Sequence, residues 1–215
     1  MDISYALGRL SQYLANPVVR HWNAVLRVFR YLKGTLYYCL SYGFNSTLKL
    51  YRCLQGFTDA DYAAASDRMS ISAYVFVFNG AAIAWSSKKQ RTISTSTMEA
   101  EYIALYTGAK QAVWLRELFL ELGQGEFLSN EVGQPVKVYG DNQGALALVE
   151  NPEHHQRTKH IDVQYHYIRH LVSTRKVEIE YYPTDKMAAD ALTKPLARTK
   201  LLQCLKLTFG ALDTE

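Results

Sequence analysis

The dipeptide Asn79-Gly80 constrains the fold of this chain more than any other local feature. It separates two apolar runs, residues 72–78 and 81–86. Asn and Gly both tolerate positive φ angles, so the pair favours a type I′ turn between two antiparallel strands. A third run with the period of a strand, residues 54–59, precedes the hairpin. The sequence therefore predicts three successive antiparallel strands.

A long amphipathic helix is predicted directly after the hairpin, over residues 97–122. Its start has the pattern of a capping box, in which Ser96 accepts from the amide of Glu99 and the Glu99 side chain accepts from the amide of Ser96. Residues 123–134 form a polar loop without Lys or Arg.

The rest of the chain alternates between the two periods. Strands are predicted at 136–139 and 177–182, and helices at 142–150, 162–173, 186–194 and 198–207. Strands that are separated by a helix run parallel through a crossover connection. The sequence therefore predicts an α/β fold with a five-stranded mixed sheet and helices on its faces.

Two helices are predicted ahead of the sheet, as an N-terminal helical hairpin. The first repeats apolar residues at helical spacing behind Asp2, a candidate N-cap, and the second begins at Asn16-Pro17 and ends at Gly34. The apolar stripe of the second helix contains Trp22, Val25, Leu26 and Phe29. Because a hairpin of this length cannot bury such a stripe alone, we expect it to pack on the following domain or on a partner.

The net charge of +4 is concentrated in these helices. The first 50 residues contain one acidic residue and six basic ones, namely Arg9, Arg20, Arg27, Arg30, Lys33 and Lys49. This distribution favours a polyanionic partner.

The three cysteines, Cys39, Cys53 and Cys204, lie far apart and are predicted to be reduced, buried thiols of an intracellular protein. Apolar stretches fall far short of the roughly 18 residues of a membrane span, so no membrane partner is expected.

Four acidic residues are candidates for one site: Asp59, Glu101, Asp141 and Asp190. Asp59 and Asp141 end two strands, and ligands of open α/β sheets bind at the carboxyl ends of strands. Clustered carboxylates suit hard cations such as Mg²⁺ or Mn²⁺. Taken singly, however, each acid is more commonly a helix cap or a surface residue.

A resemblance to a known family selects among these interpretations. It is carried, in order, by Gly56-Phe57-Thr58-Asp59-Ala60-Asp61-Tyr62-Ala63, Ser72-Ala73-Tyr74-Val75-Phe76, Ala84-Trp85-Ser86-Ser87-Lys88-Lys89-Gln90, Ser96-Thr97-Met98-Glu99-Ala100-Glu101-Tyr102-Ile103-Ala104, Tyr139-Gly140-Asp141-Asn142-Gln143, Arg157-Thr158-Lys159-His160-Ile161-Asp162 and Ala189-Asp190-Ala191-Leu192-Thr193-Lys194. These motifs resemble the ribonuclease H domain of copia-type long-terminal-repeat retrotransposon polyproteins. The first helices resemble the segment that joins the polymerase of that family to its ribonuclease H.

The resemblance implies a helical segment at 1–47, a ribonuclease H-like domain at 48–196 and a C-terminal helical tail at 197–215. It further implies an endonuclease that hydrolyses the RNA strand of RNA/DNA hybrids with two Mg²⁺ ions, for which Mn²⁺ can substitute. Asp59, Glu101, Asp141 and Asp190 would be both the metal ligands and the catalytic residues. The implied partners are the hybrid and a reverse transcriptase polymerase domain. The implied location is the cytoplasm, in retroelement particles, with a nuclear location and the oligomeric state left open.

Other functions remain as alternatives. A transposase or integrase on the same fold would have Glu last among its acids, whereas Glu101 is second here. A domesticated, catalytically silent nucleic-acid-binding or interaction module is the second alternative, although all four acids are intact. His166 and His170 have the spacing of a zinc pair, but no C-x-x-C accompanies them. A polymerase would need a Tyr-x-Asp-Asp element, which the sequence lacks.

Overall fold

The computed structural model describes residues 1–43, 53–64, 67–128, 134–150 and 159–210. Lys49, Arg157, Thr158, His154 and His155 lie outside these ranges, as do the side chains of residues 150 and 159–161.

Five strands form one mixed sheet, as predicted. They are β1 (Gln55–Asp61), β2 (Ile71–Phe78), β3 (Ala81–Lys89), β4 (Val136–Gly140) and β5 (Val177–Tyr181), in the spatial order β3-β2-β1-β4-β5. The pairs β1–β2 and β2–β3 are antiparallel, whereas β1–β4 and β4–β5 are parallel. The central strand β1 therefore joins the antiparallel half of the sheet to its parallel half.

The turn between β2 and β3 is the one that the sequence indicates. Asn79 has a φ of 49° and Gly80 a φ of 94°. Two consecutive positive φ angles match a type I′ turn, whose twist suits that of the flanking strands.

Helices cover both faces of the sheet. They are α1 (Ser4–Ser11), α2 (Val19–Gly34), α3 (Thr97–Glu121), α4 (Gln143–Glu150), α5 (Lys159–Ser173), α6 (Asp190–Thr193) and α7 (Arg198–Phe209), with 3₁₀ turns at Gly125–Phe127 and Thr184–Lys186. The core on one face includes residues of α3, α4 and α5, such as Leu105, Leu148 and Ile168. The core on the other face contains Phe57 of β1 with Met187 and Leu192 from the segment around α6.

The N-terminal helices begin differently from the prediction. The N-cap of α1 is Ile3, and the Asp2 carboxylate instead accepts hydrogen bonds from the Ile3 amide at 3.1 Å and the Tyr31 hydroxyl at 2.6 Å. Asp2 thus ties the start of α1 to α2. Helix α2 starts after Val18 and not at Asn16-Pro17, because the His21 ring nitrogen Nδ1 accepts from the Val18 amide at 3.2 Å.

The apolar stripe of α2 is only partly covered. Helix α1 packs against β3 and α6. Val25 and Leu26 of α2 are half-buried, whereas Trp22 and Phe29 are 59% and 61% exposed. The hairpin therefore leaves part of the predicted stripe in solvent.

The helix predicted at 186–194 is broken. Residues 184–186 form the 3₁₀ turn and only Asp190–Thr193 is helical. Met187 is extended (φ −62°, ψ 112°), which accompanies complete burial of its side chain in the core below β1. Burial in the core thus overrides the local preference for helix.

Two of the three cysteines match the prediction. Cys53 and Cys204 are buried thiols, and burial raises the pKa of Cys204 to about 11. Cys39 is an exposed thiol, so the expected burial is wrong there.

Within the described ranges, no helix combines the length and the apolar character that crossing a bilayer requires.

Candidate metal centre

Asp59 and Asp141 lie side by side because of the register between β1 and β4. Phe57 is paired with Tyr139 in this parallel ladder, and each Asp follows its paired residue by two positions. Asp59 is 1% exposed and Asp141 is half-buried. Asn142, directly after Asp141, accepts from the amide of Ala145 at 3.0 Å and so caps the start of α4.

Glu101 reaches the same place from α3, which packs very closely on β1. A Cβ atom at Gly108 would lie 2.4 Å from Thr58 Cγ2, so a side chain there would force the helix away from the strand. The Thr58 hydroxyl also donates to the Tyr139 carbonyl at 3.1 Å, which joins β1 to β4 beside the site. Glycine at position 108 therefore allows Glu101 to approach the strand ends.

Glu99 has the capping role that distinguishes it from Glu101. The Ser96 hydroxyl accepts from the Glu99 amide at 3.2 Å, as predicted. The Glu99 carboxylate accepts from the amide and the hydroxyl of Thr95, at 2.7 and 2.6 Å, and not from the amide of Ser96. The reciprocal half of the capping box is thus displaced by one residue, and Glu99 is engaged by Thr95 outside the three-carboxylate cluster.

Carboxylate oxygens of Asp59, Glu101 and Asp141 lie within 4.8 Å of one another. Burial raises the pKa of Glu101 to about 9, and the charges of Asp59 and Asp141 add to this effect. Burial also raises the pKa of Asp59 to about 6, against the opposing effect of Lys194. Both shifts reflect the cost of gathering negative charge where water is largely excluded.

Asp190, the fourth predicted residue, lies next to this cluster but is held by lysines. It is the first residue of α6 and is 3% exposed. Its Oδ1 lies 2.8 Å from Lys194 Nζ, and its Oδ2 lies 3.2 Å from Lys200 Nζ. Lys194 Nζ also lies 3.4 Å from Oδ2 of Asp59. The ammonium group therefore bridges Asp190 and the three-carboxylate cluster.

Three residues of this arrangement were not singled out from the sequence: Thr193, Lys194 and Lys200. The Thr193 hydroxyl donates to Oδ2 of Asp59, across 134 positions of the chain. Lys194 could have been found, because it follows Asp190 by four residues in a predicted helix, the spacing of a helical ion pair. Thr193 lies in the motif at 189–194, but no local pattern indicates its contact with Asp59 or the contacts of Lys200, since these contacts are made by tertiary folding.

The donor set fits a divalent cation. The cluster offers only carboxylate oxygens, which are the ligands that Mg²⁺ and Mn²⁺ prefer. Because burial raises the pKa values of Asp59 and Glu101, a cation bound beside them would favour their ionised forms.

The histidines do not form a comparable group in the part of the chain that the structure describes. His166 Nε2 lies 3.3 Å from the exposed Asp162 carboxylate, and neither His166 nor His170 belongs to a cluster of three or more potential metal ligands there. The zinc alternative therefore gains no support from the described residues.

A cavity of about 520 Å³ lies between the N-terminal helices and the segment around Lys194. Arg9 of α1, Arg27 of α2 and Lys194 contribute to its lining. Part of the basic N-terminal segment thus shares a cavity with Lys194, which contacts Asp59 and Asp190.

Comparisons with known proteins agree with the sequence motifs. No protein-family model matches the chain. It is 41% identical to the "Retrovirus-related Pol polyprotein from transposon TNT 1-94" of Nicotiana tabacum over 209 residues, 96% of this chain and 15% of the relative. It is 38% identical to the "Retrovirus-related Pol polyprotein from transposon RE2" of Arabidopsis thaliana, over 92% of this chain and 13% of the relative.

Among solved structures, LC11-RNase H1, isolated from compost, overlaps with a TM-score of 0.48 and 16% identity, over 66% of this chain and 93% of that one. The chain spans about 15% of the length of the tobacco Pol polyprotein that it matches. From the relatives and the sheet topology together, the chain belongs to the family of copia-type transposon Pol polyproteins, in which it corresponds to a domain with the ribonuclease H-like fold.

Proposed function

We propose that this chain is a ribonuclease H, an endonuclease that hydrolyses the RNA strand of RNA/DNA hybrids during retrotransposon reverse transcription. The observation that carries the proposal is the convergence of Asp59, Glu101 and Asp141, whose oxygens lie within 4.8 Å of one another. Three separate elements supply these residues, and carboxylates gathered in a largely buried place destabilise the fold unless a cation or protons neutralise them.

The metal would be held by Asp59, Glu101 and Asp141, with Asp190 as the fourth proposed ligand. Two divalent cations, Mg²⁺ or Mn²⁺, would supply Lewis-acid stabilisation of the attacking and leaving oxygens of a phosphodiester. The protein's part is to hold the carboxylates in place. Thr193 orients Asp59 by its hydrogen bond, and the Ala60 backbone contacts Glu101.

The substrate class follows from the site and the family. Ribonuclease H-type recognition of a hybrid depends on groove shape and on contacts to phosphates and 2′-hydroxyls. The exposed cations of α2, among them Arg20, Arg30 and Lys33, are placed to attract such a backbone. A reverse transcriptase polymerase domain is the proposed protein partner, because the relatives are Pol polyproteins many times longer than this chain.

The same family membership supports the remaining proposals. Residues 1–47 would connect the polymerase to the domain at 48–196, and residues 197–215 would form its tail. The location would be intracellular, in cytoplasmic retroelement particles.

The substrate test is a cleavage assay on three labelled substrates of one sequence: an RNA/DNA hybrid, duplex DNA and duplex RNA. Each is incubated with Mg²⁺, with Mn²⁺ or with a chelator. The proposal expects cleavage of the hybrid's RNA strand alone, and only with a divalent cation. Cleavage of duplex DNA, or cleavage of the hybrid in chelator, would contradict it.

A further inference from the structure

Lys194 occupies the position between the two parts of the acidic site. Its Nζ lies 2.8 Å from Asp190 Oδ1 and 3.4 Å from Asp59 Oδ2. Asp59 belongs at the same time to the three-carboxylate cluster with Glu101 and Asp141. A cation that bound to both Asp59 and Asp190 would have to lie between their carboxylates. The ammonium group of Lys194 lies there.

Lys200 holds Asp190 from the other side and is firmly anchored. Its Nζ lies 3.2 Å from Asp190 Oδ2 and donates to the carbonyls of Thr184 and Asp185 at 2.9 and 2.6 Å. Lys194 differs, because its ion pairs are with the carboxylates of Asp59 and Asp190 and its side chain is 32% exposed. A long side chain with partial access to solvent can swing away without disturbing the core.

We propose that Lys194 is a displaceable positioning residue that competes with one of two divalent cations. The first cation would bind to Asp59, Glu101 and Asp141, among which no lysine ammonium of the described residues bridges two carboxylates. The second cation, bound between Asp59 and Asp190, must displace the ammonium group and therefore binds more weakly. This inference rests on the proposed metal-dependent function and adds to it an ordered, unequal occupancy set by this chain's own lysine.

The test measures Mn²⁺ binding directly, by electron paramagnetic resonance of free Mn²⁺ during titration of the full 215-residue chain. Lys194→Met removes the charge but keeps the length of the side chain, and Lys194→Gln is a second neutral variant in case the first does not fold. Lys194→Arg keeps the charge. Lys186→Met is the matched control, because Lys186 is an exposed lysine of the preceding 3₁₀ turn.

Both neutral variants are expected to lower the Kd of the weaker site by about tenfold or more, because a cation a few ångströms away is removed from a partly buried site. The Kd of the tighter site should change less, and Lys194→Arg and Lys186→Met should behave like the wild type. Two Mn²⁺ sites whose affinities do not respond to the neutral variants would overturn the inference and leave the proposed function standing. The absence of Mn²⁺ binding in every variant would overturn both.

Discussion

Replacing Glu101 by Gln should stabilise the metal-free protein at neutral and alkaline pH. Burial first, and then the charges of Asp59 and Asp141, raise the pKa of Glu101 from 4.5 to about 9. Between these two values the folded state retains a proton that the unfolded state has lost. The free energy of unfolding therefore falls as the pH rises through this window, and the loss is absent below a pH of 4.5.

The size of the effect follows from proton linkage. One retained proton changes the free energy of unfolding by about 1.4 kcal/mol per pH unit, so from about pH 5 to about pH 8 Glu101 alone accounts for at most about 4 kcal/mol. Glu101→Gln removes this contribution. The variant should be more stable than the wild type at about pH 8 by up to that amount, and nearly equal to it at about pH 5.

Urea unfolding followed by circular dichroism, in chelator and at several pH values, measures the difference. Glu99→Gln is the matched control, since it removes the same charge two residues away on the same helix. Added Mg²⁺ should stabilise the wild type at high pH and have little effect on Glu101→Gln. A wild type and a Glu101→Gln variant with the same dependence of stability on pH would refute the electrostatic reasoning.

Two further predictions concern the neighbouring cap and the basic helix. Glu99→Gln should lower the free energy of unfolding by about 1 kcal/mol, because it weakens the hydrogen bonds from Thr95, and should leave hybrid cleavage nearly unchanged. Loss of cleavage in this variant, measured beside Glu101→Gln, would mean that the assignment of the two glutamates is reversed. Changing Arg20, Arg30 and Lys33 together to Gln should weaken hybrid binding and reduce the slope of log K against log salt by up to about 3. Filter binding over a salt series measures this, and equal slopes for this variant and a control with Lys110, Lys186 and Lys206 changed to Gln would argue against a role for α2.

The sheet could be predicted because its signals are local. Apolar runs of strand length, the Asn79-Gly80 turn and the helix after Ser96 each act over a few residues, and their order alone requires the parallel crossovers. The break before α6 could not be predicted in this way. It depends on the burial of Met187 against β1, more than 100 positions earlier in the chain.

In the candidate site too, some features could be predicted from the sequence and others depend on tertiary contacts. The carboxylates of Asp59 and Asp141 were expected to meet once β1 and β4 were taken as parallel neighbours, and the register places them together. The resemblance implied a ligand role for Glu101 and the capping box a structural role for Glu99, and the hydrogen bonds that Thr95 donates to Glu99 agree with this difference. The ion pair of Lys194 with Asp190 fits their helical spacing, but its contact with Asp59 was not foreseen, because sequence spacing gives no contact across folded elements. The catalytic roles of the four acids stay predictions.

The most direct test of the central claim is the cleavage of an end-labelled RNA/DNA hybrid by the wild type and by Asp141→Asn, in Mg²⁺ and with the fold of both checked by circular dichroism. Asn keeps the shape of the side chain but removes a charged ligand from the cluster. Metal-dependent hydrolysis by a carboxylate site predicts that the wild type cleaves the RNA strand and that the folded variant does not. Undiminished cleavage by Asp141→Asn would contradict it.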